Sequence, residues 1–398
     1  MATAQRPTDV DATSAFPWRI TTVSVLIMSV GMLPGFLPGA LAVQLAESMG
    51  IAVAGIGFVV GVFFGVSALS SPLMGRLAER LGWARAMRAA ALTVGAALGA
   101  TPLVARSLLS FGAVMVLGGV GLALAHPAVN LGLARCTAVS RQGLVFGFKH
   151  AAIPASSALA GVALPLVAIP LGWRWVYALA AVVAVGAASL VPSSPGRFEL
   201  GGRSPDEGET EDRRSPLSLL VIVSIGAGLG IFGTDALAIF LVPYAVDVGF
   251  GEASAGVLLA VASVSGILMR VGAGWRIDRT ASTSLATVAV FMALGGVGIA
   301  AIAVGTPVAV IVGSFLAFTL GWGWSGLFTF SVVRRNPRQP AAATGIAMTG
   351  IYVGAATGPV VFGIVAERIS FTVGWVAMAA ALALGALLML LAVVRERA

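Results

Sequence analysis

The chain is 398 residues long, 58% hydrophobic and 10% charged, with a mean hydropathy of +1.00 and a formal charge of +8. No water-soluble fold needs that much apolar sequence, so the composition excludes a soluble enzyme or a nucleic-acid-binding domain and points to a chain that lives in a bilayer. The lone cysteine, Cys136, excludes an internal disulfide and any multi-cysteine metal site.

Residues 1–17 are polar, with no short apolar core ahead of a cleavage site, and read as a cytoplasmic tail before a retained first span. Apolar runs of about twenty residues then predict twelve spans, at 20–44, 52–74, 85–104, 109–133, 143–168, 173–191, 217–245, 254–275, 283–304, 308–332, 342–366 and 371–394. The runs are continuously apolar rather than alternating, so helices and not barrel strands are expected. Gly31, Pro34, Gly35, Pro38 and Gly39 predict a bend in the first span, because each proline removes a backbone donor.

Between the second and third spans stands Gly75-Arg76-Leu77-Ala78-Glu79-Arg80-Leu81-Gly82-Trp83-Ala84-Arg85. The fourth span carries His126, and the fifth carries Lys149 and His150; both imidazoles are candidate proton relays, against the commoner reading of a satisfied buried histidine. Gly172-Trp173-Arg174-Trp175 opens the sixth span, where tryptophan suits the membrane interface.

A solvated linker is read at 193–216, where Ser, Pro and Gly surround the charged run Asp206 to Arg214. Six spans precede it, in an N-terminal half 18–192, and six follow, in a C-terminal half 217–398. An offset of 199 residues carries Gly50 onto Gly249, Gly57 onto Gly256, Gly75 onto Gly274, Glu79 onto Asp278, Arg80 onto Arg279 and Arg135 onto Arg334. The chain therefore reads as an internal duplication: an all-α integral membrane fold of twelve helices in two pseudo-symmetric halves.

The seventh span holds Asp235 behind Gly226, Gly228, Gly230 and Gly233, which permit bending or close packing. The eighth holds Arg270 ahead of Gly274-Trp275-Arg276-Ile277-Asp278-Arg279, the tenth Trp322, Trp324 and Phe328, and the eleventh Thr349 and Tyr352. Lys149, Asp235 and Arg270 are the charges inside apolar stretches, and a charge at a bilayer centre costs on the order of 2.5–3.5 kcal/mol. Lys149 and Arg270 either reach back to the cytosol along their stems or face a central cavity and hold an anion between them. Asp235 either exchanges a proton, or faces an outer vestibule or caps a broken helix. With both termini inside, 19 of the 24 basic residues fall on the cytoplasmic side, three (Arg106, Arg174, Arg368) outside, and two (Lys149, Arg270) within spans.

The segment from Gly75 to Arg85 and its echo from Gly274 to Arg279 resemble the signature loop of the major facilitator superfamily, at the matching position of both halves. Glu79 stands where the family usually has aspartate, and Trp83-Ala84 where basic residues are usual. The resemblance implies a secondary transporter working by alternating access, with Gly75, Glu79, Arg80, Gly274, Asp278 and Arg279 as a conformational latch. Phe240 to Ala245 with Gly249 and Arg270 is similar to the monocarboxylate and oxalate/formate branches, which implies that Arg270 contacts a substrate carboxylate. The glycine run of drug exporters is absent from Ala155 to Val167, with a looser version at Gly354 to Pro359.

The expectation is thus a non-enzymatic transporter in the cell inner membrane, with both termini cytoplasmic, moving a small organic anion with protons. Arg270, Lys149, Tyr352, Trp322 and Trp324 are its expected substrate contacts, and Asp235, His150 and His126 its proton-coupling groups. The rivals are an exporter of hydrophobic or cationic compounds, which the tryptophans and Asp235 would suit, and a non-transporting membrane sensor. The expected partners are a small molecule, the lipid bilayer and protons, with no nucleic acid, no metal and no cofactor, in a chain acting as a monomer. A phosphate-binding glycine loop with a lysine is missing, so ATP is not the expected energy source.

Overall fold

The computed structural model describes residues 17–138, 141–193, 216–280, 284–336 and 340–397. The expected tail at 1–16 and the body of the linker, 194–215, lie outside the described residues, as does the Asp278 side chain. Among the described residues, twelve helices are long and apolar enough to cross a membrane. They are α1 (Trp18–Ala40), α2 (Val53–Leu81), α3 (Trp83–Val104), α4 (Leu108–Cys136), α5 (Gln142–Leu171) and α6 (Trp173–Leu190). The second set comprises α7 (Leu217–Asp247), α8 (Glu252–Thr280), α9 (Leu285–Ile302), α10 (Pro307–Arg335), α11 (Pro340–Arg368) and α12 (Phe371–Arg397). An even number of crossings leaves both chain ends on one side, called the terminal side below; the other is the distal side.

Helices α1 and α7 are apolar on every face because they are surrounded. Every residue from Ile27 to Ala40 and from Gly233 to Val242 is buried, and neither helix keeps a polar stripe. The chain stays helical across Pro34 and Pro38 and leaves helical geometry at Leu41 (φ −101°, ψ 12°), where a short helix, Ala42–Met49, begins. The first span is therefore shorter than the apolar run suggests. The four glycines of α7 serve packing: Gly226 meets Gly385, Gly228 meets Gly350, Gly230 meets Trp324 and Gly233 meets Met378. The looser glycine motif of α11 has the same use, since Gly354 and Gly358 lie against the backbone of Gly228 and Phe232.

The duplication is visible in how the halves meet. Gly57 of α2 lies on Pro359 and Val360 of α11, and the same offset carries that pair onto Gly256 of α8 and Gly161 of α5, which are also in contact. Gly50 and Gly249, matched by the offset, both turn the chain with positive φ (64° and 102°), a region that suits glycine.

The interface between halves is uneven. On the distal side, Gly39 of α1 lies against the Ile239 backbone of α7, and the Glu367 carboxylate accepts the Ala54 N–H at 2.8 Å in the first turn of α2. The Gln44 amide also reaches Glu252 at the start of α8. On the terminal side, α5 and α8 stay packed at Gly147 and Gly274, but beyond the Tyr352 to Ser71 side-chain bond Gly75 and Gly345 face open space. The distal side is the closed one.

The signature segment is helical rather than a loop. Gly75 to Leu81 prolongs α2, and the connection shrinks to Gly82, whose φ of 76° allows an immediate start of α3 at Trp83. Nothing between Gly75 and Leu81 breaks a helix, so the helix runs on past the apolar run. Among the described residues, the exposed side chains of Glu79 and Arg80 make no hydrogen bond or ion pair in this state.

Candidate functional site

Two irregularities in the backbone build the site. Pro154 sits inside α5 and has no N–H, so the carbonyl of His150, four residues earlier, loses its intrahelical partner. In α10 a π-turn at Ala317–Gly321 is followed by a break, and the Trp322 carbonyl sits ahead of the ladder that resumes at Trp324. A carbonyl left unpaired in a membrane interior costs several kcal/mol, so both need a donor.

Arg270 supplies it to both. Its Nη1 donates to the His150 carbonyl at 2.7 Å; Nη2 and Nε donate to the Trp322 carbonyl at 2.7 and 3.2 Å; Nη2 also approaches the Ser325 hydroxyl at 3.4 Å. The guanidinium lies 5.5 Å from the Trp322 ring centre. Arg270 is 4% exposed and does not reach back to the aqueous phase. It bridges α5 of one half to α10 of the other, and the side of the fork expected to grip a carboxylate is occupied by a backbone carbonyl.

Asp235 is buried on α7 and accepts a hydrogen bond from the Trp322 side chain. Arg270 is the charge it faces, yet among the described residues the two form no direct ion pair. Trp322 contacts both, the carboxylate through its indole N–H and the guanidinium through its carbonyl. Its ring lies 5.8 Å from Phe36 of α1 and 5.1 Å from Phe318, and Phe36 continues to Phe64 at 6.4 Å. These rings cross from one half to the other beside the site.

Lys149 is 5% exposed, and among the described residues no acceptor lies within hydrogen-bond distance of its ammonium. The groups within electrostatic range of it are Arg270, His126 and His150, all of them basic. An ammonium without an acceptor in a membrane interior is costly, and the Arg270 cation beside it raises that cost.

The fold thus gathers Lys149, His126, His150, Arg270, Asp235 and Trp322 from five helices. Other expected contacts fall elsewhere. Trp324 packs on Gly230 and Met292 within the second half, with Phe328 at 5.8 Å. Tyr352 is bonded to Ser71 of α2, and Thr349 donates to the Gly345 carbonyl of its own helix. The residues that sequence reasoning left without a role are Pro154, Ser325 and Phe36. Pro154 could have been found, since a proline within a helix always frees the carbonyl four residues before it.

Replacing Pro154 with alanine returns an N–H to that carbonyl and competes with Arg270 Nη1. The expected result is a helix no less stable and transport slowed about tenfold, the equivalent of ~1.4 kcal/mol in a barrier. Paired thermal-unfolding and vesicle-flux measurements test it; unchanged flux removes the role given to the freed carbonyl.

The chain matches the Major Facilitator Superfamily model over residues 22–342. Among curated proteins none matches. Of solved structures, a D-xylose-proton symporter is similar at 15% identity with a TM-score of 0.72, over 94% of this chain and 97% of that one. A bacterial homolog of the human lysosomal transporter Spinster, in an inward-facing and occupied conformation, is similar at 16% identity with a TM-score of 0.72, over 95% of this chain and 97% of that one. At those identities the likeness is one of fold.

Proposed function

The chain belongs to the major facilitator superfamily, whose members are secondary transporters working by alternating access, and from that premise we propose that it moves a small organic anion, coupled to protons. The observation that carries the reading is Lys149. The side chain is 5% exposed, its ammonium lacks an acceptor among the described residues and the charge beside it is the Arg270 cation, so an anion is the partner that relieves it. Arg270 contributes field and shape to that anion, while its own donors stay on the backbone. Asp235 is the buried acid available to carry a proton between the two sides.

The positive-inside rule supports a cytoplasmic terminal side and a place in the cell inner membrane. With the distal side closed, the conformation is then inward-facing. A cationic cargo fits less well, because a cation drawn to Asp235 would also meet Arg270.

The test is Lys149→Gln. In purified wild-type protein, a bound carboxylate at about 100 times its Kd raises stability by ~2.7 kcal/mol. The glutamine variant should unfold no more readily than wild type when empty, because a costly charge has gone, and should lose most of that ligand-induced shift. A carboxylate shift of the same size in the variant, or stabilisation of wild type by hydrophobic cations alone, would overturn the anion reading.

A further inference from the structure

We propose that Asp235 sets the valence of the cargo: the site takes a monovalent organic anion while Asp235 is ionised, and a divalent one once Asp235 is neutral. The inference deepens the anion reading and rests on it.

The buried charges form a row. Trp322 links Asp235 on α7 to Arg270 on α8, Arg270 donates to the carbonyl of His150 on α5 at 2.7 Å, and Lys149, the neighbour of His150 in the chain, has Arg270, His126 and His150 within electrostatic range. Trp322 keeps the row in order, because its indole N–H holds the carboxylate and its carbonyl holds the guanidinium. Asp235 therefore offsets Arg270, and the charge left uncompensated is that of Lys149, at the other end. With both imidazoles counted as neutral beside two cations, the row carries one net positive charge.

Net charge in a low-dielectric interior is unfavourable, so the cargo that brings the sum to zero is preferred. A monoanion does so. A dianion overshoots by one negative charge and meets the Asp235 carboxylate as a like charge. A proton on Asp235 raises the sum by one, and the preference moves with it, so that each proton taken up admits one further negative charge on the cargo. The acid selects through field rather than through contact, since its own hydrogen-bond partner is Trp322 and not the anion.

The experiment is binding to the purified full chain in nanodiscs at fixed pH, with the size-matched probe pairs 4-methylpentanoate and succinate, 2-isopropylbenzoate and phthalate. Wild type should bind each monoanion at least ~10-fold more tightly than its dianion partner, and Asp235→Asn should reverse the order by a similar factor. A dianion-to-monoanion ratio that Asp235→Asn leaves unchanged would sink the proposal. Should that variant fail to fold, the wild type alone decides by proton uptake, read calorimetrically in two buffers of different ionisation heat. The probes are then benzenesulfonate and 1,2-benzenedisulfonate, which take no proton themselves: the dianion should take up one more proton than the monoanion, and equal uptake counts against the proposal. Failure of all four carboxylates to bind wild type is a different result: it removes the anion reading itself, and the valence rule falls with it.

Discussion

Arg270→Lys is expected to reduce transport about as severely as Arg270→Ala, on the order of 100-fold at equal membrane expression. Arg270 makes charge-assisted bonds to two carbonyls on different helices, at 2.7 Å each, with Nε adding a third at 3.2 Å. Such bonds contribute roughly 1.5–3 kcal/mol apiece, so losing one or two accounts for ~3 kcal/mol, or about 100-fold in rate. Lysine keeps the charge but is a single point with a tetrahedral head, and it cannot span the His150 and Trp322 carbonyls as a planar fork does. One of the two is left unpaired in the membrane interior. Counter-flow in vesicles, with thermal unfolding run alongside, separates this from misfolding. A lysine variant with more than half the wild-type flux would mean that charge alone is used and the bridge between α5 and α10 is incidental.

The amino-acid sequence led to the expectation that the Arg270 fork holds a substrate carboxylate; in the fold it holds the carbonyls of His150 and Trp322. The difference shows what such a sequence carries. Apolar runs report which segments leave water, so twelve spans and two halves are legible, and the offset pairing Gly57 with Gly256 reappears as matched contacts at Val360 and Gly161. The rarity of charge in those runs also singles out Lys149, Asp235 and Arg270, and the fold brings them into one row. What periodicity does not carry is which helix each side chain faces. Trp322 and Trp324 look equivalent as neighbours in one span, yet the π-turn ahead of them turns the first toward Arg270 and the second into the core of its own half. Nor does hydropathy mark where a helix stops: α2 runs on to Leu81 because nothing before Gly82 ends it. The latch residues were legible as a motif; in this state Gly274 packs on Gly147, Glu79 and Arg80 are exposed, and the Asp278 side chain lies outside the described residues.

Gly39→Val is expected to shift the protein away from that closed state. A Cβ at Gly39 would overlap the Ile239 backbone, and backbone cannot move aside as a flexible side chain can. The two residues belong to α1 and α7, one from each half, so the overlap is relieved by parting the halves on the distal side rather than by local repacking. Overpacking of this kind costs about 1–3 kcal/mol, which lowers the population of the closed arrangement by about fivefold to 150-fold relative to the open one. The variant should remain folded, because the opposite state lacks the clash, and should transport poorly because it cannot complete the cycle. Spin labels at Leu103 and Val304, both exposed at distal helix ends in different halves, report the separation in a background lacking Cys136. The distance distribution should move to longer values in Gly39→Val and stay at the wild-type value in Gly186→Val, where a Cβ meets only open space. A Gly39→Val variant with the wild-type distribution and flux would show that α1 and α7 do not close the distal side, leaving that task to Glu367 at the first turn of α2 and to the glycine contacts between α2 and α11.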